Sequence, residues 1–116
     1  QWDDHEVRDN WFPGQMLDDT RYGEKRIDVL AARARRAFFE YQPTLRDPLG
    51  PMYRVARWGP LVDVFLLDGR SYRTPNDPPV VEGGLLGEAQ SRWLLDSLSA
   101  STAVWKIVAC DMPIGL

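Results

Sequence analysis

Cysteine and histidine are almost missing from this chain: Cys110 and His5 are each the single copy of their kind in 116 residues. One thiol cannot close an internal disulfide, and Cys110 ends the apolar run Trp105-Lys106-Ile107-Val108-Ala109-Cys110, so it reads as a small buried hydrophobe. The redox compartment stays open on this count. No apolar run approaches the ~18 residues that cross a bilayer, so no transmembrane segment is expected, and the first residues lack a basic-then-apolar signal pattern. An excess of positive charge is missing too. With 14 Lys plus Arg against 17 Asp plus Glu the formal net charge is −3, which argues against a nucleic-acid-binding surface built on bulk charge. Internal repeats and low-complexity tracts are absent as well. What remains is an ordinary globular composition, 44% apolar, 11% aromatic and 27% charged, with a core to bury. A length of 116 residues suits one domain rather than two. The chain opens on Gln1 rather than Met and stops at Leu116, a few residues after an apolar strand, so both ends read as cut from a longer protein.

Residues 1–20 are irregular, with Asp3, Asp4, Glu6, Asp9, Asp18 and Asp19 crowded among Trp2, Trp11, Phe12 and the Pro13-Gly14 turn signal. Over 22–41 the spacing predicts a helix, because Ile27, Leu30, Ala31, Ala34, Phe38 and Tyr41 recur at three and four on one face. Pro43, Pro48, Gly50 and Pro51 then interrupt the chain. Residues 52–58 and 61–68 flank Gly59-Pro60 and predict a hairpin whose second strand is largely buried. An extended loop is expected over 72–84, rich in Pro and Gly, followed by a second helix over 85–100 and a buried strand over 103–110. Loop, helix, strand, strand, helix, strand suggests part of a mixed α/β layered domain. A strand, helix and strand in succession fit a βαβ crossover, which would set Asp68 and Asp111 at the same sheet edge, where ligands of α/β folds gather.

The stretch Trp2-Asp3-Asp4-His5-Glu6 carries the most chemistry. Hard cations take oxygen ligands and accept imidazole, so carboxylates beside a histidine in a loop suit a metal centre. The same residues also suit a solvated acidic turn whose carboxylates cap the following backbone. Of the 14 cationic residues 12 are arginine, a bias that suits phosphate, although Arg33, Arg35 and Arg36 read as a solvated helix face. Asp68 and Arg70 read as a structural ion pair at a strand end.

Trp2-Asp3-Asp4-His5-Glu6-Val7-Arg8-Asp9-Asn10-Trp11 resembles the Trp-Asp-Asp-His-Glu block of the PhoD-like alkaline phosphatases, which are calcineurin-type metallophosphoesterases. Further similarities follow in order: Ala37 to Pro43, Met52-Tyr53-Arg54, Asp63 to Arg73 as a hairpin ending in Leu-Asp-x-Arg-x-Tyr-Arg, Leu86-Gly87-Glu88-Ala89-Gln90 with Trp93-Leu94, Trp105-Lys106-Ile107, and the ending Asp111 to Leu116. The resemblance implies that residues 1–116 are part of a single metallophosphatase domain truncated at both ends, a fragment of a layered αββα sandwich with a mixed sheet. It implies hydrolysis of phosphate mono- or diesters by a metal-activated water, with divalent or trivalent ions, calcium and iron as in relatives. Asp4 and Asn10 would be metal ligands, and His5 the catalytic group that orients phosphate or protonates the leaving oxygen. Glu6 would orient His5 or cap a turn. Asp9 and Gly69 depart from the asparagine and threonine common in relatives. Because the blocks that supply most metal ligands are not among these residues, the fragment alone is expected to be inactive. The full-length parent is expected to be periplasmic or secreted. The competing expectation is a non-catalytic α/β structural or interaction domain that retains the fold.

Overall fold

A computed structural model of the chain describes residues 1–42, 44, 47, 49–75 and 84–112. Helix α1 (Ile27–Tyr41) begins five residues later than the spacing predicts, because the preceding stretch is tied into a loop. Leu17 N donates to Lys25 O at 2.8 Å and Ile27 N to Gln15 O at 3.0 Å, so residues 15–17 lie against 25–27 and the turn between them cannot be helical. One face of α1 packs on a cluster of Trp2, Trp11, Leu17, Ile27 and Met52, to which Leu30, Ala31, Ala34, Phe38 and Phe39 contribute. Trp2 meets Trp11 and Phe38 edge to face, with centroids 6.3 and 5.6 Å apart, the arrangement that ring quadrupoles favour. Tyr41, expected on that face, is instead 82% exposed, since the cluster ends one turn earlier at Phe38 and Phe39.

The expected hairpin is present. Strand β1 (Arg54–Trp58) pairs antiparallel with β2 (Val62–Leu66), Trp58 opposite Val62, and Gly59 turns the chain with a positive φ of 58°. Helix α2 (Gly87–Ala100) then carries the chain to β3 (Trp105–Ala109), which lies parallel to β2 with Val62 opposite Trp105 and Leu66 opposite Ala109. This is the predicted βαβ crossover, and the sheet order is β1-β2-β3. Gly87 opens α2 at φ 73°, where a side chain would be strained and would meet the Tyr72 Cβ at 3.1 Å. Trp93 of α2 stacks obliquely on Tyr53 at 4.7 Å, and Ser101 Oγ donates to the buried Asp63 Oδ2 at 2.6 Å, fixing the helix to the hairpin at its middle and at its C-terminal end.

The burial expected of β3 is corrected. Trp105 is 67%, Ile107 48% and Val108 43% exposed, because β3 is the edge of the sheet among the described residues, and its apolar composition alone suggested an inner strand. Cys110 is half-buried, and partial burial pushes its thiol upward. Pro43, Pro48, most of the expected loop over 72–84, and the ending from Pro113 lie outside the described residues. No described helix is long and apolar enough to cross a membrane.

Candidate active site

Trp2 and Trp11 are both buried in the core cluster, so the eight residues between them are held as a loop pinned at its two ends. Within it Val7 N and Arg8 N donate to Asp4 O at 2.8 and 2.7 Å, closing one tight turn, and Glu6 Oε2 accepts from Asp3 N at 2.7 Å. Glu6 therefore caps the turn, one of its two expected roles. Asn10 takes a left-handed backbone with φ 53°, which aims its N–H at Asp4 Oδ2, 2.8 Å away.

Asp4 is the centre of this arrangement. It is 4% exposed, its Oδ1 meets His5 Nδ1 at 2.7 Å, and its Oδ2 lies 3.3 Å from Arg70 Nη2. Burial works against its charge, but the Asn10 amide, His5 and Arg70 outweigh it and hold the carboxyl at about 2. The His5 ring is 76% exposed, and the hydrogen bond and charge of Asp4 raise its pKa above the ordinary value. With Nδ1 turned to Asp4, Nε2 faces outward, 3.9 Å from Asp9 Oδ1.

Two stretches of chain meet beside this loop. The ends of β2 and β3 leave the sheet together, Leu67 N donating to Ala109 O at 2.9 Å, and the expected approach of Asp68 and Asp111 at one edge is found there. Asp68, fully buried, accepts from Arg70 N at 3.0 Å and Ser71 N at 2.8 Å, shaping the turn after β2. The expected side-chain pairing of Asp68 with Arg70 is corrected: the guanidinium turns to Asp3, Asp4 and Asp111, and Asp68 meets Arg70 only through its backbone N–H. The Asp111 side chain is buried, and desolvation raises its pKa. Arg33, Arg35 and Arg36 are not brought to the site. Arg36 pairs with Glu40 along α1, Arg33 is exposed, and Arg35 lies over the Phe39 ring and donates to Gly50 O.

Ligand atoms of Asp4, His5 and Asp9 lie within 4.8 Å of one another. Two carboxylates and an imidazole match in kind the hard metal ions that the resemblance implies, and Asp4 Oδ1 and the Asp9 oxygens keep lone pairs for such an ion, whereas Asp4 Oδ2 is taken by the Asn10 amide and Arg70. Calcium takes about six to eight oxygen ligands, so the set fits as part of a centre rather than as a whole one. Asn10 stands beside it, its side-chain amide 3.4 Å from Asp9 Oδ2. Asp9 was not singled out for the site by sequence reasoning, and Arg70 was read only as a partner of Asp68 at a strand end. Asp9 carried a signal, since it stands four residues after His5 in an acidic loop, whereas the reach of Arg70 across 66 residues to Asp4 leaves no local trace.

The chain belongs to the PhoD-like phosphatase family, whose family model matches residues 1–116. It is 32% identical over 124 aligned positions to alkaline phosphatase D of Bacillus subtilis strain 168, covering 93% of this chain and 21% of that protein. A solved structure described as the structure of PhoD matches with a TM-score of 0.65 and 31% identity, over 93% of this chain and 23% of that one. The two helices and mixed three-stranded sheet are thus part of the PhoD fold, and the chain spans between a fifth and a quarter of the relatives it matches.

Proposed function

We propose that the full-length protein carrying this chain is a metal-dependent phosphatase that hydrolyses phosphate mono- or diesters, and that residues 1–116 form part of its single catalytic domain. The observation that carries this reading is the Asp4–His5 pair, a 2.7 Å contact between a buried ionised carboxylate and a histidine whose other nitrogen faces solvent. Asp4 and Asn10 serve as metal ligands, with Asp9 beside them. When bound, the metal ions activate water as the nucleophile and neutralise charge on the phosphoryl group.

The rest belongs to this chain's own side chains. Asp4 holds Nδ1 of His5, which fixes the ring and leaves Nε2 to face the ester. The Asp4 carboxylate favours the protonated ring, whose Nε2–H can orient a phosphate oxygen and donate its proton to the leaving oxygen. Trp2 and Trp11 keep the loop from relaxing, since moving either would open the core. Export to the periplasm or medium is proposed on the resemblance alone, and fractionation of expressing cells checks it.

The test is turnover of an alkyl phosphomonoester and an alkyl phosphodiester by the full-length protein, with and without chelator, beside Asp4→Ala and His5→Ala. Chelator-sensitive turnover that falls at least about 100-fold in both variants supports the reading, and the preferred ester settles the substrate class. Turnover that survives both changes, or none in a folded and metal-loaded protein, favours a non-catalytic domain.

A further inference from the structure

We infer that Arg70 is the positioning residue of this site, clamping the loop between Trp2 and Trp11 against the ends of β2 and β3 so that Asp4 and His5 keep their geometry. The inference rests on the phosphatase reading above and adds a residue to it. Arg70 is 3% exposed and meets carboxylates from two separate stretches of chain. Its Nε lies 3.3 Å from Asp3 Oδ1 and 3.9 Å from Asp111 Oδ2, while Nη2 lies 3.3 Å from Asp4 Oδ2 and 2.8 Å from Met112 Sδ. A guanidinium presents five donors in a rigid planar fork, whereas a lysine ammonium is a compact point charge on a flexible stem.

The backbone is arranged to place this charge. Asp68 fixes Arg70 N at 3.0 Å, and Gly69 N donates to Asp111 Oδ1 at 3.1 Å. A Cβ at position 69 would stand 2.8 and 2.9 Å from the two Asp111 oxygens, so glycine there lets Asp111 close in beside Arg70. Arg70 Nη1 and Asp111 Oδ2 are buried with no hydrogen bond, so charge attraction rather than a filled set of hydrogen bonds holds the cluster together. Asp4 transmits the constraint: Arg70 and the Asn10 amide hold its Oδ2, and its Oδ1 in turn holds the His5 ring. At 3% exposure Arg70 acts through Asp4 rather than on the substrate.

The test uses the full-length protein with Arg70→Gln, Arg70→Lys and Asp3→Asn, reading kcat and KM on p-nitrophenyl phosphate. Calcium affinity on chelator-stripped protein and amide hydrogen exchange over residues 2–11 are read beside them. Arg70→Gln is expected to lower kcat and calcium affinity about 10- to 100-fold, the usual effect of losing a group that orients a ligand, and to speed exchange across the loop. KM should stay within about threefold, because no substrate contact is removed. Arg70→Lys should recover part of the loss, and Asp3→Asn should move the same readouts in the same direction by roughly a few-fold. Wild-type kcat, calcium affinity and loop exchange in Arg70→Gln overturn the inference. So does a rise in KM at unchanged kcat, which assigns Arg70 to substrate. If Arg70→Gln does not fold, Asp3→Asn decides, and wild-type values there overturn it. A wild-type protein that hydrolyses no phosphate ester overturns the phosphatase reading, while the calcium and exchange series still decide the role of Arg70.

Discussion

Asp4 is 4% exposed and yet ionised, a combination that holds because the Asn10 amide, His5 and Arg70 outweigh the cost of its burial. Its folded pKa of about 2 lies below the ordinary 3.8, so the stability it contributes is present above pH 3.8 and is lost as pH falls toward 2. His5 has the opposite sign: raised above 6.5, its contribution is full below that pH and fades as pH rises through its folded pKa. Urea unfolding of metal-stripped full-length protein should therefore lose about 2 kcal/mol between pH 4 and pH 2 more in wild type than in Asp4→Asn. Equal acid sensitivity in the two would mean that the Asp4 contacts contribute nothing. That Asp4 and His5 belong together was legible, since they are adjacent in a loop with Trp2 and Trp11 around them. The partners Arg70 and Asp111 were not, because a pairing across 66 residues depends on where two parallel strands end and not on any local spacing.

Among the elements, α2 is held by one side chain more than by its apolar face. Gln90 is fully buried, accepts from Asp68 N at 2.8 Å, and donates to Asp68 O at 2.9 Å and Leu86 O at 3.0 Å, joining the helix to the turn that precedes Arg70. Gln90→Leu would leave these backbone groups unpaired in the interior and should destabilise the protein by about 2–4 kcal/mol, read as a lower urea midpoint at unchanged slope. A loss below about 0.5 kcal/mol would show that water replaces the amide. Both helices, the hairpin and the crossover were legible from period and from the Gly59-Pro60 break. The start of α1 was not, because the pairing of Leu17 with Lys25 overrides a local helical spacing. The exposure of β3 was not either, since an apolar strand reads alike at the edge and the middle of a sheet.

Over the whole molecule two bodies meet, the aromatic cluster with α1 on one side and the sheet with α2 on the other, and their junction carries Asp4, His5, Arg70 and Asp111. Placing the site at a junction explains why the loop is pinned by tryptophans from one body and by a buried arginine from the other. On the proposed reading, His5, steered by Asp4, hands a proton to the leaving oxygen. The most direct test of this claim compares His5→Ala with wild type in the full-length protein on p-nitrophenyl phosphate and on an alkyl phosphate. An alkoxide needs the proton and a nitrophenolate scarcely does, so the loss should be roughly 100-fold or more on the alkyl ester and much smaller on the nitrophenyl ester. Equal losses on both esters, or no loss on either, would contradict the claim.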